Sequence, residues 1–201
     1  MPFPGRLYLI FTPDLCRHDP WHTLAEALAG GVDLVQWRRK AEDRTGLARC
    51  RELCRLHNVP VIVNDDVMAA VRWRAAGAHV GQDDMPLPAA RKLLVDQWLG
   101  VSTHNPAQIA EAATQGADYV GFGPCHATAT KAYTTGKTPA EIEAAIAAAA
   151  RVGLPLFAIG GITPDNLLPL RILGIDRIAV AGHVLQAEDP RGAAAALRRC
   201  L

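Results

Sequence analysis

The chain has no basic run of any length: 21 lysines and arginines are scattered among 20 acidic residues, for a formal net charge of +1. That balance leaves no electrostatic footprint for nucleic acid or for a membrane surface, and points to small-molecule partners. Long apolar runs are missing too. Asp, Glu, Lys or Arg interrupts every hydrophobic stretch before it could span a bilayer, and Met1-Pro2-Phe3-Pro4-Gly5-Arg6 lacks a secretory apolar core, so a cytoplasmic protein is expected. Paired cysteine motifs are also absent. The five cysteines are an odd count, and Cys50 and Cys54 lie one helical turn apart on a stripe with Leu47, Leu53 and His57, which reads as reduced core, not zinc. No linker, low-complexity tract or break in composition divides residues 1–201, which are read as a single domain. With 201 residues and 50% hydrophobic content, there is enough to bury one core.

What is present is an alternation. Eight short β-rich runs, at 7–12, 34–38, 61–65, 79–82, 99–103, 119–123, 156–160 and 177–182, are separated by helical patterns. Helix starts are signalled by Asn105-Pro106, by Thr163-Pro164, and by Thr138-Pro139-Ala140-Glu141, where Thr138 and Glu141 can close a capping box. Exits repeat as Gly31-Val32-Asp33, Gly77-Ala78-His79, Gly116-Ala117-Asp118 and Gly174-Ile175-Asp176, each read as a left-handed glycine followed by a new strand. Successive βα units with near-continuous apolar strands predict an α/β protein, a small (β/α)8 TIM barrel, with a doubly wound open sheet as the alternative.

In such a barrel the chemistry lies at the carboxyl ends of the strands. Gln36, Arg38 and Lys40 alternate along the second strand and so share one face. The third run ends in Asn64-Asp65-Asp66 and the fourth in Gln82-Asp83-Asp84. Asp65 and Asp84 can offer hard oxygen ligands to Mg2+, which keeps water and phosphate oxygens in its shell. Asp66 and Asp83, being next in sequence, should point elsewhere, Asp66 toward the start of the following helix. Arg38, Lys40 and Lys131 would neutralise a diphosphate. Ser102 and Thr103 end the fifth run, while Gly160-Gly161 and Ala181-Gly182 follow the seventh and eighth, where this fold usually cradles phosphate. Residues 124–138 form a long polar connection carrying Lys131, read as a lid over the site.

With those residues in place the chain resembles the thiamine-phosphate synthase family over nearly its whole length. The resemblance rests on Gln36-x-Arg38-x-Lys40, Val63-Asn64-Asp65, Gly81-Gln82-x-Asp84, Gly100-Val101-Ser102-Thr103, Gly121-x-Gly123-Pro124, Thr128-x-Thr130-Lys131 and Ile159-Gly160-Gly161-Ile162. It implies a (β/α)8 transferase that joins hydroxymethylpyrimidine diphosphate to a thiazole phosphate, with Mg2+ as cofactor. By the same resemblance Gln36, Arg38, Lys40, Asn64 and Lys131 contact the pyrimidine diphosphate, and Asp65 and Asp84 hold the metal. Ser102 meets the departing diphosphate, Thr128 and Thr130 face the thiazole side, and Gly160, Gly161, Ala181 and Gly182 receive its phosphate. Lys131, Ser102 and Arg38 are the residues expected to act in catalysis.

The chain departs from the family pattern at Cys125-His126-Ala127, at Trp37 and at Phe11, the last placing the pyrimidine fit in question. Trp37 alternates away from Gln36 and Arg38 and should pack outward. His126 is read as lid packing, because the implied reaction needs no titrating base. Two other functions compete. A related thiazole tautomerase would need a histidine where this chain has Pro124, and a non-catalytic phosphate-binding barrel would have little use for Asp65, Asp84 and the Arg38-Lys40 cations. His18, His22, His57, His79, His104 and His183 have no metal-like spacing and are expected on the surface, at caps or in packing.

Overall fold

A computed structural model describes residues 5–39, 43–127 and 135–201. The eight predicted strands form β1 (Leu7–Phe11), β2 (Leu34–Trp37), β3 (Val61–Asn64), β4 (Gly77–Val80), β5 (Trp98–Thr103), β6 (Tyr119–Phe122), β7 (Leu156–Ile159) and β8 (Ile178–Val180). They close in sequence order, β8 pairing back to β1, and all neighbours are parallel. The closed ring excludes the open doubly wound sheet, and leaves no edge to protect. Around it lie α1 (Pro20–Ala29), α2 (Arg44–Leu56), α3 (Val67–Arg72), α4 (Leu87–Leu93), α5 (Pro106–Thr114), α6 (Pro139–Val152), α7 (Pro164–Ile172), α8 (Gly182–Leu185) and α9 (Pro190–Cys200).

The strands are buried on both faces, and their alternation sorts side chains into two cores. Outward residues such as Leu9, Phe11, Val35, Trp37 and Val63 pack beneath the helices with Leu24, Leu47, Ile109, Leu167 and Leu197. Inward residues Tyr8, Ile10, Leu34, Ile62, Tyr119, Phe157 and Ala179 fill the barrel. Three of them, Tyr8, Tyr119 and Phe157, meet edge to face with centroids 5.4–6.0 Å apart. Trp37 does point outward, stacking on Trp21 at 6.2 Å. Cys50 and Cys54 are free thiols in the outer layer. Phe11 is there as well, against both tryptophans and facing away from the barrel interior.

Local signals account for most helix boundaries. Asn105 accepts from the Gln108 amide at 3.0 Å, and Thr138 and Glu141 form the full capping box. Asp66 starts α3 by accepting from the Ala69 amide at 2.8 Å, as its place beside Asp65 predicts. Gly31, Gly116 and Gly174 adopt positive φ at helix exits, but Gly77 does not. There the left-handed turn falls to Arg74, and Gly77 instead opens β4, two residues earlier than the sequence pattern suggests. Its missing side chain leaves room for the Trp98 carbonyl on β5. No helix among the described residues is long and apolar enough to cross a membrane.

Candidate active site

A cavity of about 370 Å³ opens at the carboxyl ends of the strands. Arg38, Ser102, Gly160, Gly161, Ala181 and Gly182 all line it, bringing together residues that the sequence spreads over more than 140 positions. The rest of its wall is largely apolar or backbone: Ile10, Gly121, Gly123, Pro124, Ile159 and Ile162. Such a mouth can hold a phosphorylated ring while keeping water from its apolar portion.

The glycines on the β7 side are needed for close approach. Gly160 has φ +108°, and a Cβ there would lie 2.7 Å from the Pro124 Cα. Gly161 has φ +60°, and a Cβ would run into the Ala127 carbonyl. The loop after β6 is tied to this turn by amides: Cys125 donates to the Ile159 carbonyl at 2.8 Å and His126 to the Gly160 carbonyl at 3.0 Å. His126 therefore serves through its backbone, and its Nε2 has no hydrogen-bond partner among the described residues. His104 and His183 also border the cavity. Burial holds the His183 imidazole below its usual value, against the opposing pull of Asp165.

Asp65 and Asp84 face each other after β3 and β4, with Arg38 near enough to act on Asp65, but neither carboxyl lines the main cavity. Asp65 sits at φ +61°, its amide donating to the His79 carbonyl at 2.8 Å, and this left-handed turn aims it away from Asp66. Asp84 accepts from the Gly81 amide at 2.7 Å. Burial, followed by the neighbouring Asp84 carboxyl, pushes Asp65 up to about 6, with Asn64 and Arg38 pulling the other way. Two carboxyls close enough to perturb each other, beside an arginine, are a hard-oxygen donor set that suits Mg2+. Asp65, Asp83 and Asp84 are all exposed as whole residues. Asp84 also borders a separate depression with Gln82, Gln108 and Glu111.

Gln36 and Asn64 do not line the main cavity; Gln36 lies in the barrel, only 3% exposed. Lys40, Thr128, Thr130 and Lys131 fall outside the described residues. His79, expected at the surface, at a cap or in packing, is packed inside the barrel, and its hydrogen bonds there were not anticipated. Its Nε2 is 3.0 Å from the Ser102 Oγ and its Nδ1 is 3.1 Å from the Tyr119 hydroxyl. Its position two residues before Gly81, on the inward face of β4, was the available signal.

A sequence-family model described as thiamine monophosphate synthase matches residues 7–184. The chain is 41% identical over 95% of its length to the thiamine-phosphate synthase of Synechocystis, of which it spans 55%. It is 37% identical to that of Bacillus velezensis over 94% of this chain and 87% of that one. For the enzyme of Chloroflexus aurantiacus the identity is 40%, covering 96% and 91%. A solved thiamine phosphate pyrophosphorylase from Pyrococcus furiosus superposes with TM-score 0.85 at 30% identity, covering 97% of this chain and 94% of that one. A 3-hexulose-6-phosphate synthase, at TM-score 0.73 and 17% identity, shares the fold alone. On its motifs, its closed barrel and these relatives, the chain belongs to the thiamine monophosphate synthase family.

Proposed function

We propose that this barrel is a thiamine-phosphate synthase, a cytoplasmic transferase that condenses hydroxymethylpyrimidine diphosphate with thiazole phosphate to give thiamine phosphate and diphosphate. The observation that carries the reading is Arg38, which lines the cavity and also acts on the Asp65/Asp84 pair, set in the same cavity wall as the Gly160-Gly161 and Ala181-Gly182 turns. A diphosphate with a cation fits Arg38 and the carboxyl pair, and a monophosphate, which needs amides and no metal, fits the turns. Pro124 lines the cavity where a tautomerase would need its histidine.

In this reading Asp65 and Asp84 hold Mg2+, which when bound offsets charge on the diphosphate. Arg38, Lys40 and Lys131 surround the remaining phosphoryl oxygens, and Ser102 donates to one of them. Gln36 and Asn64 orient the pyrimidine, while Thr128 and Thr130 face the thiazole phosphate. The pyrimidine methylene carbon loses its bond to the diphosphate oxygen, and the thiazole nitrogen supplies the electron pair for the new carbon–nitrogen bond. No side chain acts as nucleophile. The protein's task is to stabilise the leaving group, align the rings and exclude water.

The test is a mass-spectrometric assay with both substrates and Mg2+, with a chelator control. Thiamine phosphate and diphosphate should form in equal amounts and only with metal, and Asp65→Asn and Asp84→Asn should both lose that turnover. Lys131→Ala should slow turnover roughly a hundredfold or more, the effect of removing one preorganised charge contact at about 2.7–4 kcal/mol. Binding of both substrates by wild type without either product would reject the synthase.

A further inference from the structure

The residues at the heart of the barrel form one continuous hydrogen-bonded chain. Gln36 Nε2 donates to the Tyr8 hydroxyl at 2.9 Å, and the Tyr8 and Tyr119 hydroxyls are 3.0 Å apart. The Tyr119 hydroxyl is 3.1 Å from His79 Nδ1, and His79 Nε2 is 3.0 Å from the Ser102 Oγ. Five side chains from β1, β2, β4, β5 and β6 thus cross the interior and end at Ser102, on the cavity wall. The register explains how they meet. His79, Gly100 and Tyr119 are lateral neighbours on β4, β5 and β6, and glycine at the middle position lets the outer two reach each other over β5.

Each phenol has one hydrogen to give, so a chain of this kind has a direction. If the Gln36 amide donates to Tyr8, the Tyr8 proton goes to Tyr119 and the Tyr119 proton to His79 Nδ1. The imidazole proton must then sit on Nε2, where it is donated to the Ser102 oxygen. The Ser102 hydrogen is left free to point into the cavity. The opposite direction either turns the Gln36 amide over or leaves the buried Tyr8 hydrogen without an acceptor in this chain, and it spends the Ser102 hydrogen on His79, presenting only lone pairs to the substrate. An anionic phosphoryl oxygen accepts hydrogen bonds and cannot donate, so it stabilises the first direction and opposes the second.

We propose that Tyr8, Tyr119 and His79 are positioning residues that fix the direction of this chain, holding His79 as its Nε2–H tautomer and Ser102 as a donor to the diphosphate. The proposal rests on the synthase reading for the identity of the anion, but its tautomer does not. Burial raises the Tyr8 and Tyr119 hydroxyls above their ordinary range, so both keep the proton the chain requires.

Two measurements test it. In 15N-histidine-labelled protein, the His79 imidazole, assigned by its disappearance in His79→Gln, should show a protonated Nε2 and an unprotonated Nδ1. The Nδ1–H tautomer or an imidazolium overturns the proposal, whether or not the protein makes thiamine phosphate. The second is a double-mutant cycle. Tyr119→Phe should lower kcat about tenfold, leave the KM values within about twofold, and mix the His79 tautomers, while in a Ser102→Ala background the same substitution should cost nothing more. If the two losses multiply, Tyr119 serves packing alone and the proposal fails. Should Tyr119→Phe not fold, Tyr8→Phe replaces it, with a smaller loss that must likewise vanish without Ser102.

Discussion

The two cores of the barrel do different work. Between strands and helices the filling is mostly leucine, valine, isoleucine and alanine, with Thr23 and Thr103 as buried polar side chains among the described residues. Inside the strands, aromatic and aliphatic side chains share the space with Gln36 and His79, both buried and both hydrogen-bonded. Buried polar groups cost free energy unless partnered, and the two layers differ in how theirs are connected: Gln36 and His79 belong to one chain that ends at Ser102, whereas among the described residues the Thr103 hydroxyl bonds only to the Gly121 carbonyl. The outer layer supplies stability, and the interior supplies orientation.

The largest expected effect breaks that contrast from the outside. Leu24→Ala, at a fully buried position on α1, should lower unfolding free energy by about 2–5 kcal/mol in urea denaturation, with the rate per folded molecule unchanged. A rate loss of the same size would mean the layers are coupled. At the rim the order reverses. Gly161→Ala forces a side chain into a left-handed turn against the Ala127 carbonyl, a strain of roughly 1–3 kcal/mol. It should raise KM for thiazole phosphate about tenfold and leave the pyrimidine diphosphate KM alone, since only one substrate uses that turn.

A pH effect sharpens the distinction further. Asp65 holds its proton to about pH 6 in the fold, whereas an unfolded chain releases it near 4. Because the folded state binds more protons in that window, stability without metal should fall as pH rises through it. Asp65→Asn should remove the fall, seen as a flatter Tm against pH. The smallest effect lies at the exposed start of α6. The Thr138 backbone and Lys137 beside Glu141 hold its carboxyl down to about 2, so its contribution is complete above its unfolded value and disappears as pH drops toward 2. The Tm gap between wild type and Glu141→Gln should be constant from pH 7 to 5, shrink in stronger acid, and leave activity at pH 7 unchanged.

The sequence reads well where chemistry is local. Thr138 and Glu141, Asp66, and the Gly31, Gly116 and Gly174 exits are set by neighbours within a few residues, and they stand where expected. So does the alternation that turns Trp37 outward. Rim residues were legible for a related reason: strand ends in a barrel converge on one mouth whatever lies between them, so Arg38, Ser102 and Gly160 meet there. What stayed hidden depends on lateral register. Nothing within β4 alone says that His79 will find Tyr119 two strands away, or that Phe11 will join the outer layer and not the barrel interior. Gly77 misled because a glycine admitting a neighbour's carbonyl looks in sequence like a glycine ending a helix.

Gly100 carries a lesson for anyone redesigning this barrel. A Cβ at that position would occupy the space of the Tyr119 ring. The residue does not line the cavity and has no side chain to carry a charge or a hydrogen bond, so a survey of functional groups would leave it open to change. Yet one added methyl there would part His79 from Tyr119 and rewire the interior, which makes it the position to lock before any loop at the mouth is altered.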